Sequence, residues 1–442
     1  MDKKTLSDLL KDNGIVGAGG AGFPTYAKID DRAKTVILNC CECEPLLRLH
    51  RQLLERNARD ILDAFELVRV TVGAEEGVVG LKKVYKKTIE ALNGVIGEYP
   101  RLRVKTLDDV YPMGDEVVLI YEVTGKVVRP GGLPIESGVA VFNVETMYNL
   151  SQALKGKPVY SKLVTLACEV KEPKTIRVPL GMQLDEVVAL AGGETTEDSV
   201  YVVGGPMMGN IQPKTATVTK TTNAILVLPS DHYIINRKRS NNKVNLKRAA
   251  ASCCQCHMCT DLCPRHLLGH PIDPSRFMRA TTCKDIQDQS VFVNTLYCSS
   301  CGLCEMYSCM QELSPRTLIT EMKNALRKAG VKPSPDVQAR PVEPSRAYRK
   351  APIQRLRKRL DLEKYNHSAP IEEEYIPCDV VRESLSQHIG APSVPVVKEG
   401  DKVTLGQLIA KANNGLSVNL HASIDGTVTK VTNAYIEIKK VK

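Results

Sequence analysis

The chain has no tryptophan and only five phenylalanines among 442 residues. Stacking on nucleic-acid bases needs aromatic side chains interleaved with basic ones. That pattern is missing, so the net charge of +10 does not argue for a nucleic-acid partner. The excess is local: residues 340–364 hold nine Lys or Arg against three acids and carry six of the ten charges. Such a proline-broken run reads either as a strap on a neighbouring domain or as a docking surface for an acidic partner. Long apolar runs are missing too. No stretch approaches the roughly 18–20 apolar residues of a membrane span, so any membrane contact goes through a partner. The opening MDKKTLSDLLKDNG lacks the apolar run of a secretory signal. A cytoplasmic protein is therefore expected, with disulfides absent among its 15 cysteines.

What the chain does have is cysteine in two crowded runs, CCQCHMCTDLCP and CSSCGLCEMYSC. In the first, Cys253, Cys256 and Cys259 stand with two residues between neighbours, and Cys263 follows after three more. In the second, Cys298, Cys301 and Cys304 repeat the triplet and Cys309 follows after four. A pair of zinc ribbons is the plainer alternative, but zinc needs only two cysteines per loop. A triplet at this spacing meets three corners of a cube, and in two-cluster ferredoxins the remote fourth cysteine serves the other cube. The expectation is two [4Fe-4S] clusters with crossed ligands. Cys253, Cys256, Cys259 and Cys309 hold one; Cys298, Cys301, Cys304 and Cys263 hold the other. Cys254 points away, and the second run is one residue looser, ending in Met310 where the first has Pro264.

Residues 14–28 are rich in glycine, with Gly14, Gly17, Gly19, Gly20 and Gly22 ahead of Lys28. Such density lets backbone amides approach an anion and adopt positive φ. A dinucleotide fingerprint would follow an apolar strand. This loop instead follows the helical pattern Leu6, Leu9, Leu10 and precedes the strand VILN. Next, CCECEP sets Glu42 and Glu44 ahead of a helix, where acids also suit the positive helix end. The ordered set GAGGAGFPTYAK, NCCECEP, YPMGDE and FNVETMYNL resembles the flavin- and NADH-binding subunit of respiratory complex I and its relatives. Those relatives are the RnfC proteins of Rnf complexes and the PduS-type cobalamin reductases of bacterial microcompartments. The resemblance implies that Gly17, Gly19, Gly20, Gly22 and Lys28 hold FMN phosphate, and that Asn39, Asn143 and Thr146 contact flavin. It also implies that Glu42 and Glu44 receive NADH, with Asp115 and Glu116 lining the same cavity. Cys41 departs from the complex I pattern, which has an aspartate there.

Alternating apolar stretches (LVTLACEV, TIRVPL, VYVVGG) broken by glycine and proline read as short strands. VGGPMMG and KTTNAILVLP resemble the β-grasp (SLBB) module of Rnf-type proteins; Met207 and Met208 read as core or turn residues. The last 70 or so residues resemble a lipoyl-like barrel-sandwich hybrid, unmodified because the hairpin tip NNGLSVNLHA has no lysine. Its place at the end matches the PduS-type order. The expected fold class is α/β and α+β, multidomain. A Rossmann-like FMN/NADH domain covers 1–155, a β-grasp domain 156–235, and a ferredoxin-like two-cluster helical domain 245–330. A basic linker or strap covers 331–369 and the barrel-sandwich domain 370–442. Flavin is needed in the middle because NADH gives a hydride and a cube accepts one electron.

The implied function is transfer of electrons from NADH through FMN and the clusters to cobalamin, supporting propanediol utilisation in a microcompartment. The partners implied are a cobalamin adenosyltransferase or other acceptor, and microcompartment shell or enzymes. Two other readings stay open: a non-catalytic electron conduit, and an Rnf-like NADH module feeding another acceptor.

Overall fold

The computed structural model describes residues 1–282 and 287–441. The N-terminal unit is built on a four-stranded parallel sheet in the order Leu102–Leu107, Glu76–Lys82, Thr35–Cys40, Val139–Asn143. Its inner strands are apolar at successive positions because helices cover both faces. Val36, Leu38 and Cys40 pack on one side with the helices Ala58–Val72 and Val144–Leu154. Ile37, Val78 and Val141 pack on the other with the helix Glu116–Thr124. This is the Rossmann-like arrangement the sequence implies.

The middle unit is a six-stranded mixed sheet in the order Ile371–Tyr375, Lys174–Pro179, Ser161–Cys168, Ala224–Pro229, Ser199–Val203, Asn210–Gln212. One edge strand therefore comes from residues 371–375, far along the chain, pairing parallel with Lys174–Pro179. The cysteine runs lie among short helices packed on Phe277, Leu318 and Ile319. The C-terminal unit stacks two small antiparallel sheets around Val381, Ile409, Leu420, Val428 and Ile438.

Residues 340–364 lie against the N-terminal unit, and part of their charge is paired within the chain. Ala351–Pro352 pairs with Val110–Tyr111 as a short antiparallel ribbon. Arg346 meets Glu122 at 2.7 Å, and Lys350 meets Glu122 at 3.1 Å and Asp108 at 3.2 Å. Among the described residues no helix is long and apolar enough to cross a membrane.

Candidate functional site

In an open parallel sheet, ligands sit in the crevice beyond the carboxyl ends of the strands. Asn39 and Asn143 end two adjacent strands there, as direct partners in register. Asn143 Oδ1 accepts from Glu145 N (2.8 Å) and caps the helix Val144–Leu154. Asn39 Nδ2 donates to Gly114 O at 3.0 Å. Above them lies the loop 17–22, closed by a bridge between Val16 and Pro24. Thr146 Oγ1 accepts from Ala18 N (3.1 Å) and pins the loop. A Cβ on Gly19 would fall 2.4 Å from Asn143 Nδ2, whereas Gly20 faces open space. Of Gly17, Gly19, Gly20 and Gly22, only Gly22 is left-handed, at φ +75°. The positive φ expected of residues 14–28 thus falls on Gly14 (φ +70°) at the root of the loop and on Gly22, which turns the chain back toward Pro24.

Lys28 Nζ lies at the side of this crevice, donating to Glu116 Oε1 (2.9 Å) and to Val141 O (3.0 Å). Asp115 starts the helix Glu116–Thr124 by accepting from Val117 N and Val118 N, both at 3.1 Å. Its other oxygen pairs with Arg265 Nη2 at 2.8 Å. A glycine crest with a lysine beside it and two helix starts beneath fits a phosphate group, which helix N-termini and clustered amides attract.

The two acids of CCECEP have partners within the protein. Glu42 accepts from His50 N (2.9 Å) and Arg51 N (3.2 Å), capping the helix Leu49–Arg56. Glu44 accepts from Met207 N (2.8 Å) and Met208 N (2.9 Å) in the middle unit. Burial raises the Glu44 pKa, with those two amides pulling the other way. Beside both acids is a cavity of about 140 Å³ lined by Arg48, Arg51, Lys82, Asp109 and Arg357. The Nε atoms of Arg48 and Arg51 and Nε2 of His50 are buried with no hydrogen-bond partner among the described residues. Sequence reasoning did not single out these cations. Lys82 had a signal, a charge ending the apolar strand EGVVGLK; Arg48, His50 and Arg51 sit at the start of an ordinary amphipathic helix, and Arg357 in a second one within the basic segment. Cys41 is buried in the apolar cluster with Ile37, Met113 and Val118, beneath the sheet.

The two cysteine runs fold as repeats of one another. In each, the residues on either side of the second cysteine are left-handed: Gln255 (φ 52°) and His257 (62°), Ser300 (58°) and Gly302 (81°). Alternating handedness turns successive amides toward one concavity. Ser300 N donates to Cys298 Sγ and Leu313 N to Cys309 Sγ, each at 3.3 Å. One cavity is lined by Cys253, Cys256, Cys259 and Cys309. The other is lined by Cys298, Cys301, Cys304 and Cys263.

Among the described residues no three Cys, His, Asp or Glu side chains meet around a single ion, as zinc with its bonds of about 2.3 Å to sulfur would require. Four thiols spread over the walls of a cavity suit a cube instead. Burial, then the neighbouring Cys309, Cys253 and Cys256, push the Cys259 thiol up to about 12. Without metal the Cys259 sulfur stays protonated; bound metal charge would hold it as a thiolate.

Four family models match the chain: the Nuo51 FMN-binding domain over residues 10–152, an SLBB domain over 163–210, a 4Fe-4S dicluster domain over 252–314, and the RnfC barrel sandwich hybrid domain over 360–441. The cobalamin reductase PduS of Citrobacter freundii is 38% identical over 440 residues, covering 99% of this chain and 97% of that protein. The RnfC-type component of the Na(+)-translocating ferredoxin:NAD(+) oxidoreductase complex of Acetobacterium woodii is 34% identical over 274 residues, 60% of this chain and 59% of that one. Among solved structures, an NAD+-reducing [NiFe]-hydrogenase in the H2-reduced state superposes with a TM-score of 0.51 at 20% identity. The match covers 76% of this chain and 64% of that chain and is a likeness of fold.

Proposed function

The chain belongs to the family of the PduS cobalamin reductases, and on that premise we propose that it is an NADH-dependent oxidoreductase whose FMN and two [4Fe-4S] clusters carry electrons to cobalamin. The observation that carries this reading is one chain joining a glycine-crested strand-end crevice to two four-thiol cavities. Bound FMN supplies the conversion of a hydride into single electrons.

The chain's own residues bind and orient. Gly19, Gly20 and Gly22 would bring backbone amides to the FMN phosphate, while the Gly17 amide closes the loop on Phe23 O (2.9 Å); Lys28, held by Glu116, would face its charge. Asn39 and Asn143 would face the flavin from the strand ends, and Thr146, buried in the first turn of the helix Val144–Leu154, holds the loop above it. Glu42 and Glu44 would shape the nucleotide side at the cavity of about 140 Å³, while Asp115 and Glu116 stand outside its lining, paired with Arg265 and Lys28. The fixed hydrogen bonds of Glu42 and Glu44 make them a rigid wall, next to the unpaired nitrogens of Arg48 and Arg51. Cys41 lies in the apolar layer beneath the sheet, so its departure from aspartate does not strip the crevice of a polar group. Amides aimed at Cys298 and Cys309 tune cluster potential, one of the levers a protein has over such centres.

The acceptor cobalamin is passed on to an adenosyltransferase, and the setting is the interior of a bacterial microcompartment. The test is anaerobic. NADH added to the purified protein should bleach flavin absorbance and reduce hydroxocobalamin at a rate that depends on the protein. Flavin that stays oxidised under excess NADH would remove the NADH assignment; rapid bleaching without cobalamin reduction would remove the acceptor.

A further inference from the structure

The two cysteine loops are alike in backbone and unlike in surroundings. Three contacts tie the loop of Cys298, Cys301 and Cys304 to the flavin crevice. Tyr111, buried at the start of YPMGDE, donates its hydroxyl to the carbonyl of Cys301 at 2.5 Å. Arg265, two residues after Cys263, pairs with Asp115 at 2.8 Å, both side chains mostly buried. Met207, held at its amide by Glu44, packs against Gly302, where a Cβ would lie 3.6 Å from the Met207 methyl carbon.

The loop of Cys253, Cys256 and Cys259 makes no hydrogen bond to the N-terminal unit among the described residues. Instead it meets solvent: Cys254, Gln255, Cys256 and His257 are all exposed, and Met310 beside Cys309 is 72% exposed. Cys259 lies in the helical turn Met258–Asp261 and Cys263 is the N-cap of the next turn, Pro264–Leu267, one lining each cavity, so four residues of chain join the two cavities.

We infer that the loops are ordered: the cavity of Cys298, Cys301, Cys304 and Cys263 takes electrons from the flavin crevice. The cavity of Cys253, Cys256, Cys259 and Cys309 delivers them to an outside one-electron acceptor at the surface formed by residues 254–257 and Met310. The inference rests on the activity proposed above. Each NADH becomes NAD+ and one proton and gives up two electrons, which leave singly, so two acceptor molecules are reduced per NADH. Tyr111 is a positioning residue that locks the backbone of Cys301 against the crevice wall.

The test follows electrons by low-temperature EPR of samples frozen milliseconds after mixing with NADH. Cys301→Ala should leave the signal of the other cluster unreduced by NADH, though still reducible by dithionite. Cys256→Ala should trap electrons on the remaining cluster even with hydroxocobalamin present. NADH reduction of the remaining cluster at the parent rate in Cys301→Ala, or its loss in Cys256→Ala, would overturn the order. Because a lost ligand can disturb folding, Tyr111→Phe is the second variant. It should keep full iron content yet show cluster reduction lagging flavin bleaching several-fold more than in the parent; an unchanged lag rejects the bridge. Cys254→Trp should slow hydroxocobalamin reduction at least threefold with both EPR signals intact, and an unchanged rate rejects the exit surface. If NADH fails to bleach flavin in the parent, the proposed activity falls alone, and photoreduction of the bound flavin reads the same order.

Discussion

Lys220, in the middle unit, donates its buried ammonium to the carbonyl of Gly14 at 2.7 Å and to that of Asn419 at 3.0 Å. One side chain thereby fastens the root of the glycine loop, the β-grasp sheet and the hairpin of the C-terminal unit. Burial lowers its pKa to about 7, with Glu383 pulling the other way.

Lys220→Met tests that fastening. Above pH 7 the unfolded chain keeps a proton that the folded chain has released, so the parent gains stability as pH rises from about 7 toward 10.5. Lys220→Met should lose that rise. Two buried carbonyls are left without a donor, at a cost of about 1–3 kcal/mol. Thermal melts at pH 7 and pH 9 should show the variant falling further behind at the higher pH; a constant gap would mean that the lysine keeps its proton throughout.

The glycine loop separates binding from folding at two neighbouring positions. At Gly22 a Cβ would meet Thr221, Gln387 and His388 at 3.0–3.1 Å with φ at +75°, so Gly22→Val should cost about 1–3 kcal/mol. Gly20 is open, and Gly20→Val should melt like the parent but purify with iron and little flavin. Full flavin in Gly20→Val would show the crest to be an ordinary turn.

Glu44→Gln replaces one of two acceptor oxygens by a donor, leaving the amide of Met207 or Met208 unpaired. A loss of about 1–3 kcal/mol is expected, together with a raised KM for NADH and near-parent flavin content. Were stability unchanged and KM alone affected, the carboxylate would be turned to the nucleotide and away from the turn it caps here.

Metal analysis of anaerobically purified protein should give about eight iron and eight sulfide per chain, from two cubes. Stoichiometric zinc with negligible iron would contradict both four-thiol cavities at once.

The parts legible in sequence are those where chemistry fixes local spacing. Cysteine triplets must curl around a centre, and the glycines of residues 17–22 leave room above a strand end, so both stand out in the chain. The contacts that join these parts leave no such mark. Tyr111 and Cys301 are 190 residues apart, Lys220 and Gly14 are 206 apart, and neither pair repeats with any period. Ile371–Tyr375 reads IEEEY, a charged string with no strand-like alternation of apolar residues; it becomes a strand because the edge of the β-grasp sheet offers it unpaired backbone. Glu42 and Glu44 show the converse. The motif located them, while their hydrogen bonds to protein amides depend on a helix start and on a turn 163 residues away.

The strap and the C-terminal unit lie late in the chain, yet they cover what the early residues build. Gly22 O accepts from Ile389 N at 3.2 Å, and Tyr26 reaches Gly415 O at 3.2 Å. Synthesis proceeds from the N-terminus, and domains fold as they emerge. The glycine loop is therefore made long before the residues that cover its edge.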